Sequence, residues 1–226
     1  MRLKRNYSNK IRLDNLIGGY IDFVTESFRH GEVILEQTPE YNQTWSELKR
    51  VVESISDSEI IETHESIDRK PMSLSQAINS LLKIKLIDHG WNEESPIFQE
   101  VPYSADSTKR WRLDFAKESI SLEVAFNHGE AIAWNLLKPV LAGELNHVKK
   151  EINTEIGVII CATQELKERG GFDGSVGEFE KFLTYLKPLR DILTVPTVII
   201  GLRAPKTFKV VRQNINGRNQ GIIHRL

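Results

Sequence analysis

The chain has 226 residues, 40% hydrophobic and 27% charged, with a formal net charge of −1, the profile of an ordinary globular protein long enough for one sizeable core. Its single cysteine, Cys161, excludes a disulfide within one chain, and its six histidines have no zinc-ligand spacing. The charge is unevenly spread: residues 192–226 contain no Asp or Glu yet hold Arg203, Lys206, Lys209, Arg212, Arg218 and Arg225. Such a basic segment is either the electrostatic footprint of phosphate contacts or a solvated tail.

The opening M-R-L-K-R-N-Y-S carries charge without the apolar run of a signal peptide, and no stretch approaches a membrane span, so a cytoplasmic protein is expected. Residues 16–29 read as a helical region loosened by Gly18-Gly19. Thr44 caps a second helix over residues 45–54, with Glu47 at capping-box spacing and Trp45, Leu48, Val51, Val52 and Ile55 on one face. Residues 57–68 form an acidic, polar connection. Ser73 or Ser75 opens a third helix whose Leu74, Ile78, Leu81, Leu82 and Leu86 face a core, and Gly90 stops it.

The run W-R-L-D-F-A-K-E-S-I-S-L-E-V-A-F from Trp111 to Phe126 reads as a β-hairpin turning at Lys117, Glu118 and Ser119. In its second strand Ile120, Leu122, Val124 and Phe126 alternate with Ser121, Glu123 and Ala125, so one face is apolar and the other carries a carboxylate between small residues. A turn of this length brings Asp114 beside Glu123. Two adjacent carboxylates and a neighbouring backbone carbonyl, that of Val124, make a hard-oxygen site suited to Mg²⁺. Taken alone, the same pattern also describes a solvated strand face.

Beyond the hairpin, residues 131–149 have helical periodicity through Ile132, Leu136, Val140 and Leu145, which Pro139 and Gly143 are expected to kink or divide. Residues 155–162 form a strand buried on both faces, with Cys161 a small buried residue in it. A short helix over Gln164–Arg169 ends at Gly170-Gly171. Residues 179–193 are helical, and 195–202 are another buried strand. This order predicts an α/β domain with a mixed central β-sheet flanked by helices on both faces, and with no repeat or linker a single domain over 1–226, basic from about 203 to 226. Asn127 and His128 directly follow the hairpin. His128 at a strand end suits a phosphate contact, although a loop residue at a helix entry is the more ordinary reading of it. The glycines form no phosphate-binding loop, and Trp45, Trp91 and Trp134 lie among apolar neighbours as core residues.

D-F-A-K-E-S-I-S-L-E-V-A-F resembles, at the same Asp-to-Glu spacing, the active-site hairpin of the BglII and BstYI type II restriction endonucleases, whose second strand reads E-V-Q-F. Leu74 to Glu94, ending D-H-G-W-N-E-E, is similar to that family's preceding helix and Gly-Trp turn. Ile156 to Leu166, Gly170-Gly171 and P-T-V-I-I-G-L-R-A-P resemble its later strand, helix and final core strand, so the likeness spans about residues 45–205. It implies a restriction-endonuclease-like core and a Mg²⁺-dependent phosphodiesterase, with Mn²⁺ as a substitute metal. Double-stranded DNA would be cut at a short, GATC-centred palindrome by a homodimer, with a cognate methyltransferase in the same system; helix 131–149 is a guess for the dimer interface that the resemblance itself does not supply.

The resemblance makes Asp114 and Glu123 the metal ligands, while position after the hairpin and the basic C-terminal segment make Asn127, His128, Arg203, Lys206, Lys209, Arg212 and Arg218 the candidates for DNA contact. One departure stands out. The family's Gln is Ala125 here, where the wider nuclease superfamily has Lys. Either Lys117, also present in the family's turn, or Asn127 takes over that role, or the role is dispensable, or activity is lost. Another metal-dependent DNA nuclease on the same core and an inactive DNA-binding relative are the alternatives.

Overall fold

A computed structural model describes residues 19–105, 108, 110–144, 149 and 153–226. In chain order these give β1 (Phe23–Phe28), α1 (Gly31–Gln37), α2 (Pro39–Glu53), α3 (Asp57–Ser66), α4 (Ser75–Asp88), β2 (Asn92–Pro96), β3 (Arg112–Lys117) and β4 (Ile120–Ala125). They continue as α5 (Ile132–Glu144), β5 (Ile156–Ala162), α6 (Gln164–Arg169), α7 (Phe179–Leu186), β6 (Thr197–Leu202), β7 (Phe208–Ile215) and β8 (Arg218–Arg225).

Six strands form one sheet in the order β1-β6-β5-β4-β3-β2. The β4-β5 and β5-β6 pairs are parallel, while β1-β6, β2-β3 and β3-β4 are antiparallel. This is the mixed sheet expected. The strands β5, all apolar, and β6, apolar after Thr197, have every residue buried, because helices cover both faces. On one face Leu122, Val158, Ile160 and Ile200 meet Trp45 and Leu48 of α2 and Ile78 and Leu82 of α4. On the other, Ala125, Ile159, Cys161 and Ile199 meet Ile132 and Leu136 of α5 and Phe179 and Phe182 of α7.

Several local expectations are corrected. Residues 23–28 are strand, not helix: β1 closes the sheet edge against β6, so tertiary pairing overrides the local pattern, and residues 16–18 lie outside the described residues. The second helix begins at Pro39, whose fixed φ suits a first turn, so Thr44 is not a cap but a buried mid-helix residue whose hydroxyl donates to Glu118 Oε2 at 2.9 Å. The supposed connection at 57–68 is largely helix α3, opened by a true capping box between Ser56 and Glu59. The helix expected over 179–193 stops at Leu186.

Pro139 and Gly143 do not divide α5; residues 145–148 of the longer expected helix lie outside the described ones. Both are packing residues instead. A Cβ built on Gly157 would stand 2.8 Å from Pro139 Cβ and Cγ, so β5 has a glycine where the proline ring presses on the sheet. Gly157→Ala is therefore expected to overpack this contact and lower stability by about 1–3 kcal/mol, read from urea denaturation. An unchanged midpoint would mean that α5 is free to shift.

The basic C-terminal segment is a separate two-stranded hairpin, β7-β8, turning through Asn216 and Gly217, both at positive φ. It is tied to the core. Buried His64 of α3 has its Nε2 2.9 Å from the Gly221 carbonyl, and the Arg212 guanidinium donates to the carbonyls of Gly171 and Phe172 at 2.9 and 2.7 Å. No helix among the described residues is long and apolar enough to cross a membrane.

Candidate active site

The β3-β4 hairpin splays where the two carboxylates sit. Its ladder runs from Lys117↔Ile120 to Phe115↔Leu122, and the next pair in that register is Asp114 with Glu123. There side chains replace the backbone ladder: the Asp114 N–H donates to Glu123 Oε1 at 3.3 Å, and the Val124 N–H donates to Asp114 Oδ2 at 2.8 Å. Each carboxylate thus braces the opposite strand and fills the fork. Asp114 is partly open, its side chain 41% exposed, at a cleft lined also by Asn79, Lys83, Glu93, Val124 and Asn127. Glu123 is almost wholly buried.

Glu123 faces α5, and from that helix comes a residue absent from the sequence reading. Lys138 Nζ lies 2.5 Å from Glu123 Oε2 and 4.0 Å from Asp114 Oδ1, with its side chain only 10% exposed. Burial first, then the negative charge of Asp114, push Glu123 from an ordinary 4.5 up to about 8; the Lys138 ammonium pulls the other way without cancelling them. A signal for Lys138 did exist: it is the only charged residue between Ala131 and Gly143, in an otherwise mostly apolar helix. A lysine buried in such a helix needs an acidic partner, and Glu123 is on the strand beneath, with Asp114 beside it.

Lys117 is not brought to the carboxylates. It stands an odd number of residues from Asp114, hence on the opposite sheet face, where its Nζ contacts Glu47 Oε1 at 2.6 Å and donates to the His89 carbonyl at 2.7 Å. With the Thr44 hydroxyl on Glu118, which has φ 54 in the turn, this bond fastens the hairpin's tip to α2. Asn127 lies at the cleft, its Oδ1 accepting from Asn135 Nδ2 at 3.2 Å. His128 is exposed just before a short 3₁₀ turn, and its backbone bridges to Val176. Lys206 and Lys209 are exposed, Arg203 lies 3.7 Å from Asp22, and Arg218 begins β8 beside the hairpin tip.

Among the described residues no group of three or more His, Cys, Asp or Glu side chains is placed to hold a metal. The fork nevertheless suits a hard divalent cation: two carboxylates share it, their mutual repulsion is the second cause of the Glu123 shift, and a positive side chain is already drawn to both. Mg²⁺ takes few protein ligands and keeps several waters, so two carboxylates and a carbonyl suffice.

A protein-family model described as restriction endonuclease BglII/BglIII matches residues 23–202, well over half of the chain. Among solved structures, the crystal structure of restriction endonuclease BglII complexed with a DNA 16-mer is 17% identical with TM-score 0.59, covering 91% of this chain and 100% of that one. Free BglII is likewise 17% identical over 91% of this chain and 100% of that chain, with TM-score 0.49. No curated protein matches.

Proposed function

The chain belongs to the BglII/BglIII family of restriction endonucleases, site-specific deoxyribonucleases, and from that membership we propose a type II enzyme that hydrolyses double-stranded DNA at a short palindrome with Mg²⁺. The observation that carries this reading is the carboxylate fork, where Asp114 and Glu123 meet at the splayed end of β3-β4 beside an open cleft. Asp114, Glu123 and the carbonyl of Val124 would hold the metal. When bound, Mg²⁺, or Mn²⁺ in its place, supplies Lewis-acid charge at the phosphate and lowers the pKa of water.

The protein's own groups position that chemistry. Asp114 and Glu123, each fixed by a backbone N–H of the opposite strand, hold their oxygens without rearrangement. In the reaction a water oxygen bonds to phosphorus as the bond to the leaving alcohol oxygen breaks. The water gives up one proton, and the leaving oxygen takes one from solvent.

A palindromic target calls for a two-fold symmetric homodimer, each protomer cutting one strand, and the sequence likeness points to a GATC-centred hexamer. Such an enzyme works on cytoplasmic DNA within a restriction-modification system whose methyltransferase protects the same site without being a stable partner. Incubating the protein with DNA of known sequence and Mg²⁺, then sequencing the ends, tests the reading. Discrete ends at one palindrome are expected; no cleavage with Mg²⁺ or Mn²⁺ would leave an inactive DNA-binding relative.

The DNA contacts proposed are Asn127 and His128 near the fork and Arg203, Lys206, Lys209 and Arg218 beyond β6, with Arg212 already bonded to two carbonyls. Lys209→Gln and Arg218→Gln are each expected to reduce the dependence of log affinity on log salt by about one unit, equally for cognate and random DNA. Binding across a salt series checks this, and an unchanged slope in both would make the hairpin a solvated appendage.

A further inference from the structure

We propose that Lys138 is the catalytic cation of this site, contributed by helix α5 in place of a polar group on the catalytic strand; the inference rests on the endonuclease reading above. Glu123 and Ala125 are two residues apart on β4 and share the sheet face that α5 covers. Ala125 is 2% exposed and packed in the apolar cluster that includes Ile132 and Leu136, so no functional group reaches the phosphate from that position. Two residues after Leu136, the same helix puts the Lys138 ammonium 2.5 Å from Glu123 and 4.0 Å from Asp114.

The competing candidates are otherwise engaged. Lys117 is on the opposite face, bound to Glu47, and Asn127 offers no charge. A lysine in this helix is also a poor stabilising device, since a buried ion pair seldom outperforms well-packed apolar side chains, and its neighbours Leu137 and Pro139 are apolar. At the fork, however, a fixed ammonium has chemistry to do. It donates to a phosphate oxygen as negative charge builds there while the P–O bond to the leaving alcohol breaks, and it keeps its proton throughout. The Pro139 contact with Gly157 next to it in sequence holds the helix, and so the ammonium, against the sheet.

The test uses the full-length protein and three readouts. Lys138→Met is expected to bind its DNA site in Ca²⁺ within about threefold of wild type, and to lower the single-turnover cleavage rate by about a hundredfold or more, the scale of one lost electrostatic stabiliser. Mn²⁺ binding to the DNA-free protein, measured calorimetrically, is expected to be unchanged or tighter, because a competing cation is gone. Adding Ala125→Lys, which returns an ammonium to the same face from the strand, is expected to recover about tenfold or more of the lost rate.

A structural counterion would behave otherwise: cleavage, Mn²⁺ binding and DNA binding would fall together, with no recovery from Ala125→Lys, and that result overturns the proposal. So does cleavage by Lys138→Met at the wild-type rate. Should Lys138→Met fail to fold, Lys138→Arg decides: its planar guanidinium keeps the charge but not the geometry, so a folded protein about tenfold slower or worse is expected, and wild-type cleavage overturns the proposal. A wild-type protein that cuts no DNA with either metal defeats the endonuclease reading itself, before Lys138 is altered.

Discussion

Asp114→Asn and Glu123→Gln are each expected to abolish cleavage, by about a thousandfold or more, while specific DNA binding in Ca²⁺ survives. Both substitutions remove a charge but little volume, and both leave an acceptor oxygen for the opposing N–H that braces the fork. What they remove is a hard anionic donor from a site with only two. Asp114→Asn should also weaken Mn²⁺ binding to the DNA-free protein, because the open carboxylate at the cleft is the one a cation meets first. Single-turnover cleavage of a mapped site, with binding measured separately in Ca²⁺, is the check. Full cleavage by either variant would remove the fork from the mechanism.

The affinity for divalent cations is expected to climb steeply with pH. Glu123, raised to about 8 by burial and by the charge of Asp114, holds its proton at neutral pH in the metal-free protein and must give it up to a metal. Between about pH 6 and 8 the ionised fraction grows about tenfold per unit, so apparent Mn²⁺ affinity should rise about a hundredfold and then level off. Stability of the metal-free protein has the opposite sign. A carboxyl whose folded pKa exceeds its unfolded one contributes stability that is fully present below about 4.5 and is lost as pH rises through about 8. Metal-free melting temperature should therefore fall over that window, and Glu123→Gln should flatten both curves. Calorimetry and thermal melts across the pH range read the two effects; a pH-independent affinity would place Glu123 outside the metal site.

Much of the fold was legible because its strongest elements are locally determined. The apolar strands β5 and β6, the alternation in β4 and the leucine-rich face of α4 each carry a period that only one element satisfies. What escaped depends on partners distant in sequence. β1 is a strand because β6 is beside it, and Thr44 is buried because the hairpin's Glu118 lies above it. Asp114 and Glu123 were found from a short antiparallel turn, a local rule. Lys138 required knowing that α5 crosses the face bearing Glu123, which no spacing along the chain encodes, although its isolation in an apolar helix was visible. The C-terminal hairpin was hidden for another reason: charge drew notice there, whereas Asn216-Gly217 is a strong hairpin signal in its own right.

That hairpin lies beyond the stretch matched by the family model, and residues 214–219 at its tip are exposed, two ladder positions past the Arg212–Gly221 pair through which it is anchored. Its tip and the carboxylate fork share no hydrogen bond or ion pair among the described residues. A drifting lineage can rewrite Asn214, Arg218 or Asn219 without disturbing a single brace of the fork, and can exchange the whole tip for another left-handed two-residue turn. A change of side chain at that tip therefore leaves the geometry of Asp114 and Glu123 as it is.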